Sequence, residues 1–125
     1  MYAVIVKTDL IAQHFLVGGD WGPENERHSH HYLLEVQLEG PTLNEHGYLV
    51  DIVEVQAQTE KIKAYYRDRL LNELPEFSGL NPSLEHFARV LCQGLGARIG
   101  APNLTALTVR LWENEVAAAS YRQEL

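Results

Sequence analysis

Apolar and polar residues alternate along positions 2 to 16, YAVIVKTDLIAQHFL. Val4, Val6, Leu10, Ala12, His14 and Leu16 fall on one side, the period-two signature of a long strand with one buried face. VGGDWGPENE follows, with the Gly, Pro, Asp and Asn content of a loop. Alternation resumes from His28 to Glu39. His28, His30, Tyr32, Leu34, Val36 and Leu38 share one face, and Ser29, His31, Glu35, Gln37 and Glu39 the other. GPTLNEHG reads as a hairpin-like connection.

The period then changes. From Asp51 onward, Ile52, Val55, Thr59, Ile62, Tyr66 and Leu70 lie close to one helical stripe. Asp51 with Glu54 has the spacing of a capping box. NELPEFSGLNPS breaks this helix. A second begins near Ser83, with Leu84, Phe87, Ala88, Leu91 and Leu95 as its stripe, and GAPN ends it. Residues 104 to 113 and 116 to 122 read as two closing strands, the first placing Leu107, Val109, Leu111 and Glu113 on one face. The order β-β-α-α-β-β predicts an α+β domain, an antiparallel four-stranded sheet with two helices on one face. The 125 residues suffice for one domain with its own core, and no linker, repeat or low-complexity stretch divides them.

Charge narrows the partners. Ten Lys and Arg against 17 Asp and Glu give a net charge of -7, without a basic cluster. Nucleic acid and anionic membrane are therefore not expected partners. No apolar run approaches the roughly 20 residues of a membrane span. The start of the chain lacks a signal-peptide layout, and the single Cys92 excludes an internal disulfide. Both features suit a reducing cytoplasm, the expected location. Cys92 itself falls in the second helix as a small core residue.

The candidate chemistry lies in ERHSHHY, residues 26 to 32. His28 and His30 are two apart on a strand and point the same way. An isolated His-x-His is ordinarily a solvated or hydrogen-bonded pair. Here His14 ends a matching apolar row, and antiparallel pairing across residues 17 to 27 would set it opposite the other two. Three neutral imidazoles with an open fourth position are a common way to hold a catalytic zinc. His31 faces the other way, His46 lies in a turn and His86 in the first turn of a helix. A purely structural zinc domain fits less well, because such sites fill all four positions from protein, often with cysteine.

The layout as a whole resembles the 6-pyruvoyl-tetrahydropterin synthase / 6-carboxy-tetrahydropterin synthase family, which has the tunnelling fold. The likeness rests on His14 in AQHFL, on His28, His30 and Tyr32 in HSHHY, on GYLVD before the first helix, on LNELPEFSGLNPSLE, and on Glu113 in WENE. It implies a Zn2+ cofactor on His14, His28 and His30. It also implies a substrate of the dihydroneopterin (triphosphate) type, a lyase acting on the pterin side chain, and Glu113 gripping the pterin's guanidine-like edge through a bidentate carboxylate. The family's cysteine before the His-x-His is absent from GPENER, and Arg67-Asp68 stands where the family has Asp-His. One branch of the family uses a glutamate for the cysteine. That makes Glu24 the candidate base, with Glu26 behind it and Asp68 as a partner. The resemblance further implies a homo-oligomer, a hexamer of two stacked trimers with sites between subunits. The alternative is a homologue that binds a pterin or purine and has altered or lost its catalysis; turnover of a dihydroneopterin separates the two.

Overall fold

The computed structural model describes residues 1–125. Four strands form one antiparallel sheet in the order β1 (Tyr2–His14), β2 (His28–Gly40), β3 (Ala106–Trp112), β4 (Ala118–Glu124). Between β2 and β3 run α1 (Ile52–Tyr66) and α2 (Leu84–Gly96). This is the predicted β-β-α-α-β-β order. Helix α2 packs on β3 and β4, and α1 packs on β1 and on α2. No helix is long and apolar enough to cross a membrane.

Alternation dictates the layering. Leu10, Ala12, Leu34, Val36, Leu38, Leu107, Val109 and Leu111 are buried on the helix side. They meet Val55, Ile62 and Tyr66 of α1 and Phe87, Leu91 and Leu95 of α2 in one apolar core. Phe87 is its aromatic hub, with ring centroids 5.4 Å from Tyr32, 5.3 Å from Tyr66 and 5.8 Å from Phe77, all edge to face.

The opposite face is mixed, with Ile5, Ile11 and Leu33 exposed beside charged and polar side chains. There the Glu35 carboxylate accepts from Arg110 Nη1 at 3.0 Å and Trp112 Nε1 at 2.9 Å, with Lys7 Nζ at 3.7 Å. Burial pushes the Glu35 carboxyl up, but these donors and charges outweigh it and leave its pKa below the usual range.

The departures from the sequence expectations have local causes. Strand β1 ends at His14, not Leu16, because the backbone changes partners there. Asn72 clamps Phe15 by accepting from its N–H and donating to its carbonyl, both at 2.9 Å. Asn81 Oδ1 accepts from Val17 N at 2.9 Å. Helix α1 ends at Tyr66, so Leu70 leaves the stripe. Asp68 then turns the chain at φ 59°, a left-handed conformation that Asp tolerates better than most residues. The strap 68–70 runs beside β1, where Asp68 N donates to Ile11 O at 2.8 Å and Gln13 N donates to Arg69 O at 2.9 Å.

The capping box is half formed. Asp51 accepts from Val53 N at 2.9 Å, while Glu54 accepts from Gln58 instead of reaching back. Ile52 stays exposed in the first turn of α1. The segment after β2 folds on Asn44 and leads into α1 rather than into another strand. Asn114 accepts from Val116 N and Ala117 N, and this turn delays β4 by two residues.

Candidate metal centre

Antiparallel register places His14 directly opposite His28, and Ala12 opposite His30. Even positions of both strands face the helices, so all three imidazoles gather at one end of the buried face. Their ring centroids lie 4.6 to 4.8 Å apart in edge-on arrangements. Glu24, from the 3-10 turn Gly22–Asn25, brings Oε2 to 2.8 Å from His28 Nε2, 3.7 Å from His30 Nε2 and 4.0 Å from His14 Nε2. One ligand atom from each of the four residues lies within 4.8 Å of the others.

The hydrogen bonds assign the protons. His14 Nδ1 lies 2.8 Å from Pro82 O, and His28 Nδ1 lies 2.7 Å from Glu26 O. A carbonyl only accepts, so each Nδ1 donates, and a neutral ring held this way turns the lone pair of its Nε2 inward. His28 Nε2 is 2.9 Å from His30 Nε2. His14 Nε2 is buried with no hydrogen-bond partner at all. Burial lowers the His14 pKa, the Pro82 carbonyl raises it, and the neighbouring His30 and His28 lower it further. The net direction favours neutral imidazole. Imidazole nitrogens and a carboxylate gathered this closely need a proton or a cation between them. Three imidazole nitrogens, with backbone carbonyls orienting two of the rings from behind, are a donor set that suits zinc with an open fourth position, beside which Glu24 Oε2 stands.

Beside the cluster opens a cavity of about 240 Å³, lined among others by His14, Trp21, Glu24, His30, Tyr32 and Glu113. Glu113 follows β3 directly, at the end of the row Leu107, Val109, Leu111, and is an exposed residue at the cavity's lining. Burial first, then the charges of Glu113 and Glu24, push the Tyr32 phenol far above its usual range, leaving it a neutral donor.

The other sequence candidates lie elsewhere. Asp68 is not brought to the cluster within the chain. It lines a separate recess with Asp9, Ile11, Lys63 and Arg67, because the strap turns it along the free edge of β1. Glu26 is exposed and contributes its carbonyl rather than its carboxylate. His31 pairs with Asp9 at 2.7 Å on the open face. His46 is exposed, and His86 Nδ1 lies 2.7 Å from Asn81 O. Cys92 is buried, its thiol donating to Leu107 O at 3.6 Å, and burial raises its pKa.

Sequence reading missed Trp21, Asn25, Asn72 and Asn81. The two later asparagines lie inside the string LNELPEFSGLNPSLE, where their recurrence was the available signal. Their work is to clamp the strand end that carries His14.

Comparison with solved structures returns the same fold. The Caenorhabditis elegans 6-pyruvoyl tetrahydropterin synthase matches with a TM-score of 0.82 at 19% identity, over 98% of this chain and 95% of that one. A Plasmodium vivax 6-pyruvoyltetrahydropterin synthase carrying a glutamate-to-alanine substitution at a catalytic residue matches with a TM-score of 0.81 at 13% identity, over 99% and 98%. More distantly, a dihydroneopterin aldolase from Burkholderia thailendensis bound to guanine matches with a TM-score of 0.53 at 10% identity, over 99% and 89%. No curated protein matches. The family profile described as 6-pyruvoyl tetrahydropterin synthase matches residues 3–124. A match over so much of the length, on a chain that folds as these synthases do, shows that it belongs to the 6-pyruvoyl tetrahydropterin synthase family.

Proposed function

We propose that this protein is a zinc-dependent lyase acting on the side chain of a dihydroneopterin-type substrate, free or as its triphosphate. The observation that carries the reading is the convergence of His14, His28, His30 and Glu24 beside a cavity that also holds Glu113. His14, His28 and His30 would hold the zinc, which supplies Lewis-acid polarisation of a substrate hydroxyl or carbonyl. Glu113 would accept the paired N–H donors of the pterin's guanidine-like edge and so fix the ring's orientation. Glu24 would move protons on the side chain as the general base. A glutamate is also the catalytic residue substituted in the Plasmodium vivax structures, to alanine in one and cysteine in another. Tyr32, held neutral, can donate a hydrogen bond into the same space.

Asp68 would contribute only from another copy of the chain, since its own recess is apart from the cluster. This agrees with a homo-oligomer built through the free sheet edges, a hexamer by family resemblance. Light scattering at micromolar concentration should report a mass several times 14.2 kDa; a monomer would overturn the assembly. The expected compartment is the reducing cytoplasm.

The functional test is incubation of zinc-loaded protein with dihydroneopterin triphosphate, dihydroneopterin and sepiapterin, followed by identification of products. A product with a shortened or rearranged side chain is expected from one of the first two. Tight binding with no product from any of them would overturn the enzyme reading and leave a pterin-binding protein.

A further inference from the structure

Trp21 remains 46% exposed although it lines the cavity beside the histidines. Exposure of a single apolar side chain is ordinary, but this one lines the cavity beside the candidate metal ligands and offers it an aromatic wall. The loop around it is braced from within. Asn25 Oδ1 accepts from Trp21 N at 2.7 Å, and its Nδ2 donates to Leu16 O at 3.0 Å and Gly19 O at 2.9 Å. Leu16 N donates to Glu24 O at 2.8 Å. The loop also makes room for the indole. A Cβ at Gly19 would stand 2.7 Å from the indole Cη2, closer than such atoms approach. Gly18 and Gly22 take the left-handed conformations, φ 89° and 63°, that shape the loop. The chain thus fixes the backbone of Trp21 and gives its indole a close seat on Gly19, yet about half the residue's surface stays uncovered.

The geometry points to Trp21 as the wall on which the flat heteroaromatic ring of the ligand stacks, a specificity-determining residue of the site. The inference rests on the cavity being a pterin site. Glu113 can grip a guanidine-like edge, but an edge contact alone accepts any molecule with paired N–H donors. A face contact on indole adds the requirement for a planar π system. Asn25 ties this wall to the proposed base, because it braces the Trp21 backbone and directly follows Glu24 in the same short turn.

Calorimetric titration of zinc-loaded protein with neopterin and with guanine tests this, alongside zinc content and melting temperature. Trp21→Ala should weaken neopterin binding at least about fivefold, the low end of ring-on-aromatic stacking, with zinc content and melting temperature unchanged. Trp21→Phe, which keeps a π face, should restore most of the affinity. Wild-type affinity in Trp21→Ala overturns the stacking wall and leaves the pterin reading intact. Loss of zinc along with affinity makes Trp21 a strut of the loop and also overturns it. If wild type binds neither neopterin nor guanine, the pterin reading falls and the stacking wall with it.

Discussion

Removing one imidazole from the cluster should erase the protein's thermal response to zinc without unfolding it. A metal that binds only the folded chain, present at 100 times its dissociation constant, stabilises by about 2.7 kcal/mol. Unfolding entropy runs near 2.1 cal/mol/K per residue, or about 0.26 kcal/mol/K over this length. The quotient is a rise of about 10 °C in melting temperature for wild type when zinc is added to chelator-stripped protein. In His28→Ala the rise should shrink to about 2 °C or less. The stripped variant itself should melt within about 2 °C of stripped wild type, because His28 is partly exposed and its Nε2 crowds that of His30 at 2.9 Å. His31→Ala is the control. That ring lies on the opposite face, paired with Asp9, so its zinc response should be the full one. Differential scanning calorimetry with and without zinc, plus metal analysis after gel filtration, reads all three proteins. A full rise in His28→Ala, or its loss in His31→Ala, would refute the ligand assignment.

Three further outcomes follow from the packing and the charges. Phe87→Ala removes the ring shared by Tyr32, Tyr66 and Phe77 and should cost about 3–5 kcal/mol in urea unfolding; a loss under about 1 kcal/mol would show that the core refills the gap. Asn25→Ala takes away three hydrogen bonds of the 16–25 loop. It should cost about 1–3 kcal/mol and open the loop to limited proteolysis, whereas a wild-type cleavage pattern would mean other contacts hold it. Glu35 has a folded pKa below its unfolded one, so its contribution is present above the unfolded value of about 4.3 and fades as pH falls through and below it. The urea midpoint of Glu35→Gln should accordingly lie below wild type at pH 7, with the gap narrowing as pH falls below the unfolded value and closing under the lowered folded one; a constant gap would contradict that linkage.

Periodicity made most of the fold legible. Four strands and two helices follow from spacings of two and of three to four, and the metal-site candidates follow from His14, His28 and His30 sharing one parity on paired strands. Element ends were less visible, because side chains from distant segments set them. Asn72 stops β1 from 57 residues away, and no local pattern announces such a clamp. Trp21 and Asn25 escaped notice for a related reason. Inside VGGDWGPENE they look like ordinary loop residues, and only the closed hydrogen-bond circuit reveals that the loop has one shape. Asp68 illustrates the converse. Its position in the chain follows from Leu71-Asn72, but the side of β1 on which it lies depends on a single left-handed residue, Asp68 itself.

The strap over the end of β1 acts as an end stop. Ile11 O and Gln13 N point to the free edge, so by alternation the backbone groups of Ala3, Ile5, Lys7 and Asp9 do too. The strap occupies the edge at 11 and 13 and leaves those four rungs open. At the far edge β4 offers four rungs of its own, Ala118, Ser120, Arg122 and Glu124, and after three antiparallel steps it runs opposite to β1. A second copy laying its β4 along β1 therefore finds equal ladders, and sliding it toward His14 drives it into residues 68–70. One register closes such a joint with every rung matched, and the strap that selects it also carries Asp68 to the seam.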